Sequence, residues 1–356
     1  MTEFRVSKSL HGGLAPEVDY PILDSKADLR AGENHAFWFF DDKERHALLN
    51  CHIQGGGSVP AGGVVTGPYQ QFEDWRTRRI VFPLTGPDGE LFVDFAIASG
   101  AEPDGYAIGG WEFRCAEPFK RWTGRYRGRP RRTSRAETMQ GVIDLGGPRV
   151  AVEVDVDCEM LLPPWVQGDF AEESAGRDWG LLAIGTPRYE QLYRVTGAIR
   201  IVGRDEYRFT GTGLRTHRYG KRVATTVLGS SWLSAVFPSG RSFGSLQFLD
   251  GEGNARYKEA FVTDATGRLM AVRVTETPWL ERLDCVGRQI LFAYEGPGGS
   301  GRIEGEVLHA AYNYGMGVDR TPGALDFCHT MVRWRWDGEE TVGMMELGML
   351  IERIKP

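Results

Sequence analysis

The sequence offers no P-loop of the form G-x-x-x-x-G-K-[S/T], no H-E-x-x-H and no alternation of strand-like with helix-like segments. These absences argue against P-loop NTPases and against the doubly wound α/β frames of Rossmann enzymes and α/β-hydrolases. The five cysteines, Cys51, Cys115, Cys158, Cys285 and Cys328, are odd in number, widely scattered and never spaced as C-x-x-C. Neither a zinc site nor a disulfide framework is therefore expected. No run of about 18 apolar residues exists, so no membrane-spanning helix is expected. The opening MTEFRVSKSLHGG lacks the apolar core of a signal peptide, and a reducing, cytoplasmic location is the expectation. Long helical stripes are missing too, and no metal or nucleotide cofactor is expected.

What the chain has in quantity is turn and strand formers. It carries 47 Gly and 18 Pro, with 10 Trp, 12 Tyr and 18 Phe, in 356 residues. That mixture suits short strands and tight turns. The length exceeds one ordinary core, so two domains are expected. Residues 163–182, PPWVQGDFAEESAGRDWGLL, break the strand pattern and mark a crossing between them. The expected domains are 1–165 and 183–356, with an irregular arm over residues 1–34. After residue 185, turn signals recur every 8–12 residues or so, the spacing of a meander closing into a barrel.

Several strands read clearly. HAFWFF is a dense aromatic strand holding Trp38 and Phe39. In RHALLNCHIQ, Ala47, Leu49, Cys51 and Ile53 alternate with His46, Leu48, Asn50 and His52. The Gly55-Gly56-Gly57 run is followed by SVPAGGVVTGP, which cannot start a helix, so a plain loop is expected there and no phosphate cradle. ELFVDFAIAS places Leu91, Val93, Phe95 and Ile97 on one apolar face. VAVEVDVDCEM alternates strictly, with Val150, Val152, Val154, Val156, Cys158 and Met160 inward and Glu153, Asp155, Asp157 and Glu159 outward. Residues 120–135 hold Lys120 and seven arginines with no acid among them. With a net charge of −6 and no nucleic-acid motif, that run is expected to be a solvated strand face, and no nucleic-acid partner is expected.

The stretch Tyr207–Arg222, YRFTGTGLRTHRYGKR, follows a hairpin turn at 202–206. As a strand it puts Tyr207, Phe209, Gly211, Gly213, Arg215, His217 and Tyr219 on one face. An aromatic face that ends in Arg, His and Tyr is either a satisfied polar network at a barrel rim or a proton-handling cluster in a cavity. GTGLRTHRYGKR resembles the R-x-H-x-(W/Y)-G-x-R signature of the carotenoid 1,2-hydratase/AttH-like superfamily, which includes kievitone hydratase and lipocalin-like Diels–Alderases. Tyr189-Glu190-Gln191 is similar to the start of the same block. PFKRWTGRYRG at 118–128 and WRWDGEETVGMMELGM at 334–349 are similar to two further family segments. Tyr219 stands where Trp is common.

The resemblance implies an all-β chain of two lipocalin-like antiparallel barrels in tandem. It also implies a cofactor-independent hydratase, dehydratase or cyclase acting on a hydrophobic terpenoid, steroid or polyketide-like molecule. His217 and Tyr219 would move protons while Arg215 and Glu190 orient them. Trp38, Phe39, Tyr207, Trp232, His309, Tyr312 and Glu346 are the candidates for substrate contact, with aromatic faces available to a carbocation. His309 shares a face with Ile303, Gly305 and Val307, as a core residue or a second inward histidine. Glu346 lies in an apolar strand, either buried against an arginine such as Arg215 or Arg222 or turned to solvent on an edge. A non-catalytic carrier of a hydrophobic molecule would use the same barrels. So would an interaction protein with solid interiors.

Overall fold

Period-two alternation of apolar and polar residues, interrupted by glycine turns, produces strands along almost the whole chain. The computed structural model describes residues 12–24, 32–56, 74–140, 147–172, 176–185, 187–220, 227–264, 266–312, 323 and 325–355. The first thirteen strands share one sheet: β1 (Gly32–Asp41), β2 (Ala47–Gly56), β3 (Thr77–Thr85), β4 (Glu90–Ser99), β5 (Ala101–Glu102), β6 (Gly105–Ile108), β7 (Trp111–Glu117), β8 (Arg121–Gly128), β9 (Arg131–Ser134), β10 (Val152–Met160), β11 (Trp165–Val166), β12 (Arg188–Ile201) and β13 (Tyr207–Gly220). The second sheet takes β14 (Val227–Val236), β15 (Ser242–Asp250), β16 (Ala255–Thr263), β17 (Leu269–Ala271), β18 (Arg273–Glu276), β19 (Gln289–Gly296), β20 (Gly299–Tyr312), β21 (Leu325–Trp336) and β22 (Glu339–Leu350). Two short α-helices, α1 (Arg135–Met139) and α2 (Arg177–Ile184), and two 3-10 turns, Pro16–Asp19 and Ile351–Arg353, complete the described elements.

All strand pairs within the two sheets are antiparallel, and the chain is an all-β protein of two tandem barrel domains. The first sheet forms a half-barrel in the order β5-β6-β7-β8-β10-β12-β13-β1-β2-β3-β4-β9. The second is a nearly closed barrel in the order β17-β16-β15-β14-β22-β21-β20-β19-β18. The sheets divide between Gly220 and Val227, so β12 and β13 belong with the N-terminal strands. The expected crossing does touch both sheets. Trp165 and Val166 pair with β12, and Ala171 bridges Glu259 on β16.

Three packed layers follow from the side-chain alternation. Phe37, Phe39, Trp122, Val154, Tyr193 and Phe209 fill the inside of the first sheet. Leu233, Phe243, Phe292, Tyr312, Trp334 and Met345 fill the second barrel. Trp38, Leu192, Leu214, Trp232, Phe261, Met331 and Met344 form a third core, a seam between the two sheets. The seam buries both faces of β1 and of the second half of β13. That is why Leu214, Thr216 and Arg218 are as buried as Arg215 and His217. Gly213 is required here, because a Cβ would run into the Tyr193 ring and the Trp38 carbonyl.

Local departures from simple alternation have identifiable causes. β2 is bulged between Leu48 and His52, and Asn50 sits there at φ 153°. Ala47 and Leu49 therefore face the seam while Cys51 and Ile53 face the first barrel's interior. Leu91 and Val93 are buried as expected, but Phe95 and Ile97 near the end of β4 are exposed. The basic run is largely the solvated face it was expected to be, with Arg131 as a buried exception. Arg121 pairs with Asp157, and Arg127 reaches Asp155 at 2.7 Å, both acids lying on β10. The loop expected at 58–68, Gly57, most of the arm expected over 1–34, and Arg222 lie outside the described residues.

Candidate functional site

Inside the first barrel, Arg215 and His217 hold the segment around Asp19. Arg215 is fully buried and pairs with Asp19 at 2.5 Å, while its other terminal nitrogen donates to Gln191 Oε1 at 2.6 Å. Asp19 also accepts from the Phe119 amide (2.7 Å), Trp122 Nε1 (3.1 Å) and the Tyr189 hydroxyl (2.5 Å). Burial opposes ionisation, but the charge of Arg215 and these donors hold the Asp19 carboxyl below its usual range. His217 Nδ1 lies 2.8 Å from the Val18 carbonyl, and Nε2 lies 2.8 Å from Glu33 Oε1. Glu33 in turn accepts from Arg78 at 2.5 Å and from the Ile22 amide at 2.9 Å. Burial raises the Glu33 carboxyl, yet the His217 bond and the Arg78 charge outweigh it and the net shift is downward. Each nitrogen of His217 thus faces an acceptor that belongs to the fold.

Glu190 stands on the opposite face of β12 from Tyr189 and Gln191, and so on the opposite face of the sheet from Arg215 and His217. It faces the seam, where the strand registers set out three rows. The outermost row is Phe40, Arg194, Thr212, Val236 and Val342. Next inward come Trp38, Leu192, Leu214, Ser234, Met331 and Met344. Innermost are Ala36, Glu190, Thr216, Trp232, His329 and Glu346. Same-face neighbours along a strand are about 7 Å apart, so each row is one step deeper than the last. The outer row borders a cleft of about 460 Å³ lined by Leu161, Thr212, Val236, Phe237, Pro238 and Val342, with Asp42, Glu44, Arg194 and Glu340 around it. That volume is in the usual range for small-molecule sites. Past it, Leu162, Trp165, Glu190, Leu192, Leu214, Ser234 and Phe261 surround a void of about 10 Å³, roughly the room one water needs.

The inner row is polar in an apolar setting. Glu190 accepts from Trp232 Nε1 at 2.8 Å and Gln167 Nε2 at 2.9 Å, and it pairs with Arg188 at 3.0 Å. Burial dominates its titration, and the Glu259 and Glu346 carboxylates add to it. Together they outweigh Arg188 and the Trp232 bond, pushing the carboxyl up to about 7. Arg188 lies 4.4 Å over the Trp232 ring, and Trp38 meets that ring edge-on at 5.1 Å. On the facing wall His329 Nδ1 is 2.9 Å from Glu346, and Asn50 in the β2 bulge reaches His329 at 3.4 Å. Buried polar atoms of the seam with no hydrogen-bond partner among the described residues include Trp38 Nε1, Ser234 Oγ and Gln167 Oε1. Such atoms are costly to bury unless something meets them.

The structure brings together four of the residues read from the sequence, Glu190, Trp38, Trp232 and Glu346, and disperses the rest. Arg215 and His217 sit one layer away in the first barrel. Tyr219 is half-buried at the end of β13, edge-on to Trp75. Phe39 stacks on Phe209 inside the first barrel, and the Tyr207 hydroxyl donates to Asp41 at 2.6 Å at its rim. His309 is turned off the inward face by a bulge after Val307, and its Nε2 donates to the Glu44 carbonyl at 3.0 Å. Tyr312 lies inside the second barrel beside Cys285. Glu346 is not on an edge strand, and among the described residues it is not paired with an arginine. Its partner is His329, because both sit at the same register across β21 and β22. Sequence reasoning missed His329, Asn50 and Arg188. The alternation CHTMVRW puts His329 on a face with Met331, which is no stronger a signal than any strand histidine gives. Among the described residues no group of three His, Cys, Asp or Glu is placed to hold a metal ion, and no helix is long and apolar enough to cross a membrane.

A family model described as a domain of unknown function, DUF7064, matches residues 40–351. No curated protein matches the sequence at a significant level. Among solved structures the chain is similar to the AttH-like protein NE1406 of Nitrosomonas europaea, with a TM-score of 0.54 and 15% identity over 89% of this chain and 91% of that one. It is similar to CghA with Sch210972 at a TM-score of 0.50 and 12% identity, covering 93% and 96% of the two chains. Kievitone hydratase from Nectria haematococca aligns at 0.46 and 8% identity, covering 90% and 88%. The first two likenesses bear out the AttH-like resemblance as a shared two-barrel fold.

Proposed function

The chain belongs to the DUF7064 family, and on its two-barrel frame we propose that it is a lyase of hydratase, dehydratase or cyclase type. Its substrate is a hydrophobic small molecule of terpenoid, steroid or polyketide-like character, and its proton donor is Glu190. The observation that carries the proposal is that carboxyl: fully buried, held near neutrality, and bordering a water-sized void one step in from a cleft of about 460 Å³. Adding or removing water needs a donor that is still protonated at working pH and a dry place for the alkene. The apolar rows of the seam supply the dry place, and the cleft suits the body of the molecule. CghA, similar in fold, is described with Sch210972. A carrier would use the same cleft, but it would have no need of a carboxyl near pH 7.

His217 and Arg215 are assigned a positioning role, fixing β13 and the segment around Asp19. The test is a panel of apolar alcohols and alkenes incubated with the protein and screened by mass spectrometry for the gain or loss of one water. Turnover is expected from the native chain and should fall by about 10²–10⁴-fold in Glu190→Gln. Equal turnover in that variant would overturn the assignment, and binding of the same compounds without any turnover would favour the carrier.

A further inference from the structure

On the premise that the chain is a lyase with Glu190 as acid, we infer that its substrate carries a carbonyl oxygen beside the reacting carbons, and that His329, backed by Glu346, is the base. Three observations converge. First, His329 and Glu346 share the inner row with Glu190, but on the other wall, so acid and base face the seam from different sheets. With Nδ1 2.9 Å from the Glu346 carboxylate, the proton sits on Nδ1 and Nε2 is the nitrogen that accepts one.

Second, the row just outside holds Trp38 Nε1 and Ser234 Oγ, both buried and without a partner among the described residues. An indole N–H can only donate, so what completes it is an acceptor such as a carbonyl oxygen. Ser234 can add a second donor to the same oxygen. Third, the charge around Trp232 is wrong for a carbocation. The Arg188 guanidinium lies 4.4 Å over that ring, occupying the π face a cation would use. A nearby positive charge instead favours an intermediate in which negative charge develops.

The step balances without a further reactant. The C–H bond next to the carbonyl breaks and its proton goes to His329 Nε2. The electron pair passes to the carbonyl oxygen, which Trp38 and Ser234 hold, and returns to form the C=C bond as the β C–O bond breaks. Glu190 gives its proton to the departing hydroxyl, which leaves as water. The reverse order hydrates an enone.

The base can be tested apart from the acid. Benzylacetone has the carbonyl and the apolar ring but no hydroxyl to lose, so exchange of its α-protons in deuterium oxide, followed by NMR, reads the base alone. The native protein is expected to accelerate exchange, and His329→Gln to lose about 10²-fold or more of that acceleration. Trp38→Phe should lose about tenfold or more. If His329→Gln fails to fold by circular dichroism, Glu346→Gln replaces it, with a smaller loss expected. No acceleration by the native protein, or full acceleration in His329→Gln, or in Glu346→Gln where that stands in, overturns the inference. The aldol adduct of acetone and benzaldehyde tests the lyase assignment separately, through the absorbance of benzalacetone. If exchange depends on His329 but no benzalacetone forms, the lyase assignment fails and the base stands.

Discussion

Trp232 of the second sheet donates its indole N–H to Glu190 of the first at 2.8 Å, a bond that ties the two walls of the seam at their most polar point. The same tryptophan carries Arg188 over its face and Trp38 against it. The carboxyl is thus fixed by groups from both sheets, and anything that separates the sheets releases it.

The first consequence is a pH-dependent stability. The Glu190 carboxyl has an ordinary value of 4.5 and rises to about 7 in the fold. Between those values the folded state binds more protons than the unfolded one, so stability falls as pH rises through the window and levels off above it. Full expression of the shift is worth about 3 kcal/mol. Glu259, also raised by burial, acts in the same direction. Urea unfolding at a series of pH values should show a slope that becomes shallower in Glu190→Gln. An unchanged slope would mean that the carboxyl titrates normally.

Trp232→Phe keeps most of the packing and removes the donor. The charged form of Glu190 then loses a favourable bond, so its carboxyl should move further up. In pH–rate profiles the limb assigned to the acid should shift to higher pH. Stability should fall by about 1–3 kcal/mol where the carboxylate is left short of a partner. A limb that stays in place would detach Trp232 from the titration.

Asp19 and Arg215 are both fully buried, so breaking their pair leaves a buried charge. Asp19→Ala should cost about 3–5 kcal/mol in unfolding experiments. Asp19→Asn with Arg215→Met should recover part of that loss, since the isolated charge is gone. If Asp19→Ala is within about 0.5 kcal/mol of the native protein, the pair does not anchor the segment.

His217→Asn should lower thermal stability yet retain turnover close to the native rate below its melting temperature, because both ring nitrogens of His217 serve acceptors of the fold. A loss of about 10²-fold or more in a folded His217→Asn protein would return the histidine to the chemistry.

The fold was largely legible because period-two alternation and glycine turns are local signals. VAVEVDVDCEM reads the same way in sequence and structure, down to the acids that meet the arginines of 120–135. The candidate site was legible only in part. Glu190, Trp38, Trp232 and Glu346 stood out as buried-type residues in unusual company, but which wall each faces depends on how the two sheets stack, and no local pattern encodes that. Strict alternation also misled at two places. A bulge at Asn50 and another after Val307 each reverse the strand phase, turning Asn50 toward the seam and His309 away from the core. His217 drew attention through its motif, while its partners Val18 and Glu33 come from a distant part of the chain.

The central claim is a carboxyl poised near neutrality in the seam, and its titration can be read directly. With 13C label in the glutamate carboxyls, NMR spectra across a pH series should contain one resonance titrating near 7 that is absent from Glu190→Gln. If that resonance instead titrates near 4.5, or persists in the variant, Glu190 is an ordinary carboxylate and cannot be the proton donor proposed here.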